Sequence, residues 1–318
     1  MGEWTAGDIP DQSGRTVVVT GANSGLGFEA TKALSRAGAR VVMACRNTDR
    51  GERAAEEIRA GVPDATLDVR ECDLADLDSI AAFGSAFRES YDRLDVLCNN
   101  AGVMAIPRAE TADGFEMQLG VNHLGHFALT GHLLPYLVGT DGRTRIVTHS
   151  SGAHTGAEID FSDLHSERSY GKWAAYGRSK LANLLFAYEL QRRLTDAGVT
   201  GTDSIACHPG YADTNLQFRG PEAAGSRLRY GLMKVANTLL AQPAERGALP
   251  LLYAATAPEA EGGAYYGPGG LLNMRGAPEK QTSGPASYDE DAAARLWEIS
   301  EDLTGVTYEI EAVAAARA

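Results

Sequence analysis

The sequence predicts an α/β fold: one doubly wound domain over 1–318, with a mostly parallel sheet and helices on both faces. Three observations predict it. Short β-rich runs without polar alternation recur as far as Cys207, the pattern of strands buried on both faces. Helical patterns separate them, as in successive right-handed βαβ units. A glycine-rich turn joins the first run to the first helix.

Each element follows in order. Thr16–Thr20 (TVVVT) is a continuous β-branched run, and a helix over 26–36 is stopped by Gly38. Arg40–Cys45 is the second strand, and a helix over 49–60 ends at Gly61. Strand three covers 66–72, a helix 75–90 and strand four 94–98. A long helix over 112–138 precedes strand five, 145–148. A helix over 173–197 closes at Gly198, and Thr202–Cys207 is strand six. After His208-Pro209-Gly210 the rhythm breaks: 211–242 is mixed, with Gly220-Pro221 and Gly225 as interruptions. Residues 243–257 are helical, 263–267 form a last strand, and 267–287 read as a long loop rich in Gly, Pro and Ser. No linker divides the chain, and 271–318 is a C-terminal extension.

Composition excludes several functions. Lys+Arg 29 minus Asp+Glu 42 gives −13, and a nucleic-acid binder needs a basic face. A phosphate-bearing cofactor needs only a local site. No run approaches the ~20 apolar residues of a membrane span. Met1-Gly2-Glu3-Trp4-Thr5 lacks the basic and apolar regions of a secretory signal. Cys45, Cys72, Cys98 and Cys207 sit at the ends of strand-like runs and form no C-x-x-C pair. They read as buried free thiols in a reducing compartment, with the cytoplasm as the expected location.

Thr20-Gly21-Ala22-Asn23-Ser24-Gly25-Leu26-Gly27 links strand one to helix one. A dinucleotide pyrophosphate must approach the backbone closely there, and a Cβ would block it; the helix N-terminus supplies free N–H groups. An NAD site would place Asp or Glu about 20 residues onward, on the ribose 2′-hydroxyl. The sequence there is Ala44-Cys45-Arg46-Asn47, with no carboxylate. Arg46 suits a 2′-phosphate, so NADP is favoured over NAD. Asp73, with Leu74 beside it, falls after strand three under the adenine ring. A helix N-cap is the other reading of Asp73.

Tyr176-Gly177-Arg178-Ser179-Lys180 lies in a helix, so Tyr176 and Lys180 share a face. A nearby ammonium lowers the pKa of a phenol, making Tyr176 a candidate general acid/base. Ser150-Ser151 closes strand five and Asn99-Asn100-Ala101-Gly102 closes strand four, both at the crevice where α/β folds bind ligands. Asn122 lies inside a helix, where a buried amide needs partners.

These residues, with His208-Pro209-Gly210, stand in the order and spacing of the short-chain dehydrogenases/reductases, which the chain resembles over about 14–270. Ala44-Cys45-Arg46-Asn47, Asn122-His-Leu-Gly-His-Phe127 and Tyr265-Tyr-Gly-Pro268 resemble most the retinol-dehydrogenase-like and protochlorophyllide-reductase-like branch. The resemblance implies a Rossmann domain and a catalytic tetrad of Asn122, Ser151, Tyr176 and Lys180, with Ser151 rather than Ser150. It implies cofactor contacts from the glycine turn, Asn100, Ala101, Gly102, Tyr176 and Lys180. Pro209 and Gly210 would lie on the nicotinamide side, and Thr214 on the carboxamide. No metal is implied; His126, His149 and His154 lack ligand spacing. His149 departs from the family, where an apolar residue or Asn is usual. Residues 211–242 correspond to a substrate lid, made apolar by Leu216, Phe218, Leu228, Tyr230, Leu232 and Met233.

The implied activity is NADP-dependent hydride transfer between a nicotinamide and a carbonyl or alcohol of a lipophilic small molecule. The alternatives are reduction of a carbon–carbon double bond, or a non-catalytic dinucleotide sensor, although such sensors usually lose the Tyr or Lys. Family members often pair as homodimers or homotetramers through the helix carrying the Tyr, a face the C-terminal extension could cover.

Overall fold

The computed structural model describes residues 3–210, 243–270 and 273–317. One sheet runs through them in the order β3-β2-β1-β4-β5-β6-β7-β8. Its strands are β1 Thr16–Thr20, β2 Arg40–Cys45, β3 Thr66–Glu71, β4 Val96–Asn99, β5 Thr144–His149, β6 Thr202–Cys207, β7 Tyr265–Pro268 and β8 Pro278–Gln281. Every pairing is parallel except β7 with β8.

Burial on both faces explains the unbroken apolar strands. Val17 and Val19 pack with Ala30 and Leu34 of α1 (Gly25–Arg36) and with Ile58 of α2 (Thr48–Gly61). Val18 goes to the opposite cluster, with Ile80 and Phe83 of α3 (Leu77–Ser90). That cluster also takes Phe127 and Leu133 of α4 (Gly125–Gly139) and Phe186 and Leu190 of α5 (Lys172–Asp196). Chain order reverses between β1 and β4, which opens a crevice at their carboxyl ends, where ligands of such sheets bind.

Four features differ from the sequence expectation. The helix expected over 112–138 starts later and irregularly. Gly114, at φ +84°, turns the chain, and Glu110 bridges Glu116. Then come one α-turn (Met117–Leu119), a π-turn (Gly120–Leu124) and α4. Asp76, not Asp73, caps α3, accepting from the amides of Asp78 and Ser79. The helix expected over 243–257 divides into a turn, Ala244–Gly247, and α6, Leu249–Thr256; Pro250 has no N–H and fits only a first turn. The loop expected over 267–287 contains β8. Prolines at its start and facing it, and exposed Glu279 and Lys280, are marks of an edge strand.

The extension adds α7, Glu290–Thr304, and α8, Ile310–Arg317. Asp289 caps α7 by accepting from Ala292 N, and Gly305 ends it at φ +66°. Ala293 and Leu296 of α7 pack with Leu181 and Leu185 of α5, so α7 covers one side of that helix. Trp297 is 2% exposed, with ring neighbours Phe127 at 5.1 Å, Phe186 at 5.8 Å and Tyr308 at 4.5 Å. The Arg193 guanidinium lies over it at 4.5 Å. All four cysteines are free and buried. No described helix is long and apolar enough to cross a membrane. The lid expected over 211–242 lies outside the described residues.

Trp297→Ala should therefore lower unfolding free energy by about 3–5 kcal/mol, the usual cost of truncating a buried aromatic. Guanidinium unfolding measures it, and a loss under ~1 kcal/mol would show that the extension is only loosely attached.

Candidate active site

The turn after β1 is built for close approach. Gly21 and Gly25 adopt φ +65° and +56°, a region that favours glycine. A Cβ on Gly27 would lie 2.4 Å from the Gly21 carbonyl oxygen and 2.6 Å from Asn100 Nδ2. Ser24 is the N-cap of α1 without capping by its side chain, so the first amides of that helix remain available. The cleft over this turn is lined by Gly21, Asn23, Ser24, Gly25, Leu26 and Gly27, by Arg46, Asp73 and Leu74, and by Asn100, Ala101 and Gly102. Arg46 stands at its mouth, its side chain 63% exposed and Nε 4.0 Å from an Asp73 oxygen. Asn47 and Arg50 line the same end. This cradle fits a dinucleotide: the turn leaves room for a pyrophosphate, and the exposed Arg46–Asp73 pair at its mouth is weakly held.

Thr20 ties the two walls of the crevice together. Its hydroxyl oxygen accepts from the amides of Asn100 and Ala101, each at 2.9 Å, and Asn100 Nδ2 donates to the Thr20 carbonyl at 2.7 Å. His126 Nδ1 lies 3.0 Å from the Asn122 carbonyl, which can only accept, so Nδ1 carries the proton. Its Nε2 then accepts from the Thr20 hydroxyl at 2.9 Å. One neutral histidine thus links the glycine turn to Asn122.

Four candidate catalytic side chains gather around α5. Lys180 is buried, and Nζ donates to the His149 carbonyl at 3.2 Å, a carbonyl that Asn183 also holds at 2.8 Å. Ser150 Oγ donates to the Lys180 carbonyl at 2.8 Å, which spends that hydroxyl on the scaffold. Ser151 caps the turn Gly152–His154 and reaches the Tyr176 hydroxyl. Gly177 lets the pair come together: a Cβ there would lie 2.7 Å from the Ala153 carbonyl. Asn122, inside the π-turn, accepts from Val103 N and donates to the Val103 carbonyl and to Ser179 Oγ. Gly102 completes the contact, since a Cβ would lie 2.9 Å from Asn122 Oδ1 and 3.6 Å from Lys180 Nζ.

The electrostatics correct one expectation. Burial raises the Tyr176 phenol above its ordinary value, opposed only by the Ser151 hydroxyl. Lys180 sits over the ring, 5.8 Å from its centroid, and is itself lowered to about 8 by burial. Desolvation sets the direction here, and Tyr176 holds its proton at neutral pH. His149 is lowered by burial to about 3 and His126 to about 4, so neither competes as a cation.

The three histidines are spent separately: His126 as above, His149 Nδ1 on Asn100 Oδ1 at 3.1 Å, and His154 on Ser151 and Gly284. Gly210 packs under Met274, where a Cβ would meet its carbonyl at 2.5 Å, and lines a second cleft with Ser151. Pro209 precedes it, two residues past the end of β6, and neither lines the dinucleotide cleft. Thr214 lies outside the described residues. Thr20, His126, Gly177 and Asn183 were missed by sequence reasoning. The first three stand within or beside the motifs, but only tertiary contacts give them work.

Gly27→Ala should weaken dinucleotide binding at least ~10-fold, because the new Cβ meets backbone that cannot yield. Titration calorimetry measures it, and wild-type affinity would contradict the cradle. Gly177→Ala should leave that affinity within about twofold while separating Tyr176 from Ser151, visible as a loss of turnover of ~10-fold or more.

Comparisons with known proteins agree with this geometry. A family model described as short chain dehydrogenase matches residues 15–223. Retinol dehydrogenase 14 of Mus musculus is 42% identical over 312 residues, covering 94% of this chain and 89% of its own. The crystal structure of an uncharacterized protein from Mycobacterium paratuberculosis is similar with a TM-score of 0.79 and 42% identity, covering 96% of this chain and 99% of that one. That of a suggested NAD(P)-dependent gluconate 5-dehydrogenase from Beutenbergia cavernae, with NADP bound at low occupancy, has a TM-score of 0.60 at 28% identity, covering 80% and 94%. The chain belongs to the short chain dehydrogenase family and is an NAD(P)-dependent oxidoreductase of its retinol-dehydrogenase-like branch.

Proposed function

We propose that the protein is an NADP-dependent carbonyl reductase, reversible as an alcohol dehydrogenase, acting on a lipophilic small molecule. The observation that carries this reading is the convergence of Ser151, a protonated Tyr176 and a buried Lys180. NADPH, when bound, supplies the hydride for the carbonyl carbon. Ser151 Oγ–H holds the carbonyl oxygen and polarises it, and Tyr176 Oη–H gives that oxygen its proton. Lys180 stabilises the phenolate left behind through charge in a dry site. Asn122 keeps its segment against Val103 and Ser179. The apolar composition of 211–242, and the retinol dehydrogenase name of the mouse relative, support an aldehyde or alcohol of isoprenoid bulk. The buried free thiols support a cytoplasmic setting.

Tyr176→Phe should lower kcat by ~10²–10⁴-fold, the weight of one acid/base group, with NADPH affinity little changed. Ser151→Ala should cost on the order of 10²-fold and Ser150→Ala less, because the Ser150 hydroxyl is spent on Lys180. Near-wild-type turnover of the phenylalanine variant, in a panel of aldehydes, ketones and alcohols, would refute the assignment.

Arg46 sets the cofactor preference in this reading. A charge-assisted pair with the 2′-phosphate favours NADPH over NADH on the order of 10–100-fold. Arg46→Asp should abolish or invert that ratio of kcat/KM values and change kcat less. A wild type that already prefers NADH would remove NADP and leave the oxidoreductase.

A further inference from the structure

Ser151 lies beyond the last ladder residue of β5, as the cap of a turn of three residues, yet it must hold one position relative to Tyr176. His154 explains how. The ring is 4% exposed, and both nitrogens are spoken for. Nδ1 lies 2.6 Å from the Ser151 carbonyl, which also accepts from His154 N at 3.0 Å. Since a carbonyl only accepts, Nδ1 holds the proton, and Nε2 is free to accept from Gly284 N at 2.8 Å. The tautomer is therefore fixed from both ends. Gly284 has no side chain where one would crowd this ring, with a Cβ 3.3 Å from His154 Cδ2.

The far end of this link is itself anchored. Ser283 Oγ bonds the Tyr188 hydroxyl at 2.8 Å and Ser287 Oγ at 2.6 Å. Tyr188 stands on α5, the helix that carries Tyr176. A closed frame results, running from Ser151 through His154, Gly284 and Ser283 to Tyr188 and back along α5 to Tyr176. Ser151, His154, Gln281, Thr282, Ser283 and Gly284 also line the second cleft together.

We propose that His154 is a positioning residue: it closes the frame that fixes Ser151 against Tyr176, and it couples the 281–284 wall of the second cleft, which we take as the substrate's seat, to the reacting oxygen. This rests on the oxidoreductase reading above. A substrate seated against Thr282 and Ser283 then presses on the same frame that sets proton transfer. Positioning of this kind is read in kcat rather than in cofactor affinity.

The test uses the full-length chain with His154→Leu, which keeps bulk and removes both bonds, and His154→Gln, which keeps a donor and an acceptor. H154L should lose kcat at least ~10-fold with the NADPH Kd within about twofold, and H154Q should recover most of the loss. In the protein without cofactor, exchange of the Gly284 amide hydrogen should be at least ~10-fold faster in H154L than in wild type. Unchanged kcat in H154L, a glutamine variant no better than leucine, or unchanged Gly284 exchange would each overturn the inference. A wild type inactive on every carbonyl and alcohol would instead overturn the reading beneath it, and the exchange comparison would still decide whether the His154–Gly284 tie exists.

Discussion

A buried ammonium organises the site. Lys180 carries three N–H donors at 4% exposure, and burial lowers it to about 8. An ammonium so placed is costly unless dipoles are aimed at it. The His149 carbonyl is one such dipole, and Asn183 bonds the same oxygen, fixing its direction. Ser150 holds the Lys180 carbonyl, which fixes the backbone beneath the side chain. Nearby titratable groups stay neutral: burial lowers His149 and His126 and raises Cys98 to about 12 and Cys207 well above its ordinary value. The positive charge near Tyr176 is thus assigned to one residue.

The crevice extends the same logic. The order β3-β2-β1-β4 parts the chain between β1 and β4, and the Thr20 hydroxyl closes that gap with two amides from the far wall. His126 then joins Thr20 to Asn122. The dinucleotide turn and the tetrad are in this way parts of one hydrogen-bonded body. Glycines occur where backbone must touch: Gly27 on Gly21, Gly102 on Asn122, Gly177 on Ala153.

Much of this was legible in the sequence, for physical reasons. Thr16–Thr20 and Arg40–Cys45 announce themselves because burial on both faces removes polar alternation. Tyr176 and Lys180 are legible because helical spacing alone places them on one face. β8 was hidden because an edge strand carries charge and proline, which read as loop. The break before α4 was hidden because Ala112 to Leu119 has good helix formers, and only the turn at Gly114 and the cap of Glu116 override them. The direction of the Tyr176 shift was misjudged because spacing says nothing of desolvation. The work of Gly177 and His154 depends on contacts with residues distant in sequence or outside the motif. The lid, with Thr214, lies outside the described residues.

The central claim is that the charge of Lys180 supports proton transfer by Tyr176, and the pH dependence of kcat/KM for NADPH-driven carbonyl reduction tests it most directly. That quantity reports ionisations of the unliganded enzyme. In the wild type it should fall as pH rises through about 8, where Lys180 loses its proton. In Lys180→Arg the charge persists far into the alkaline range, so that limb should move upward by at least about one pH unit, whatever the absolute rate. An alkaline limb that stays near the same pH in the arginine variant would contradict the account.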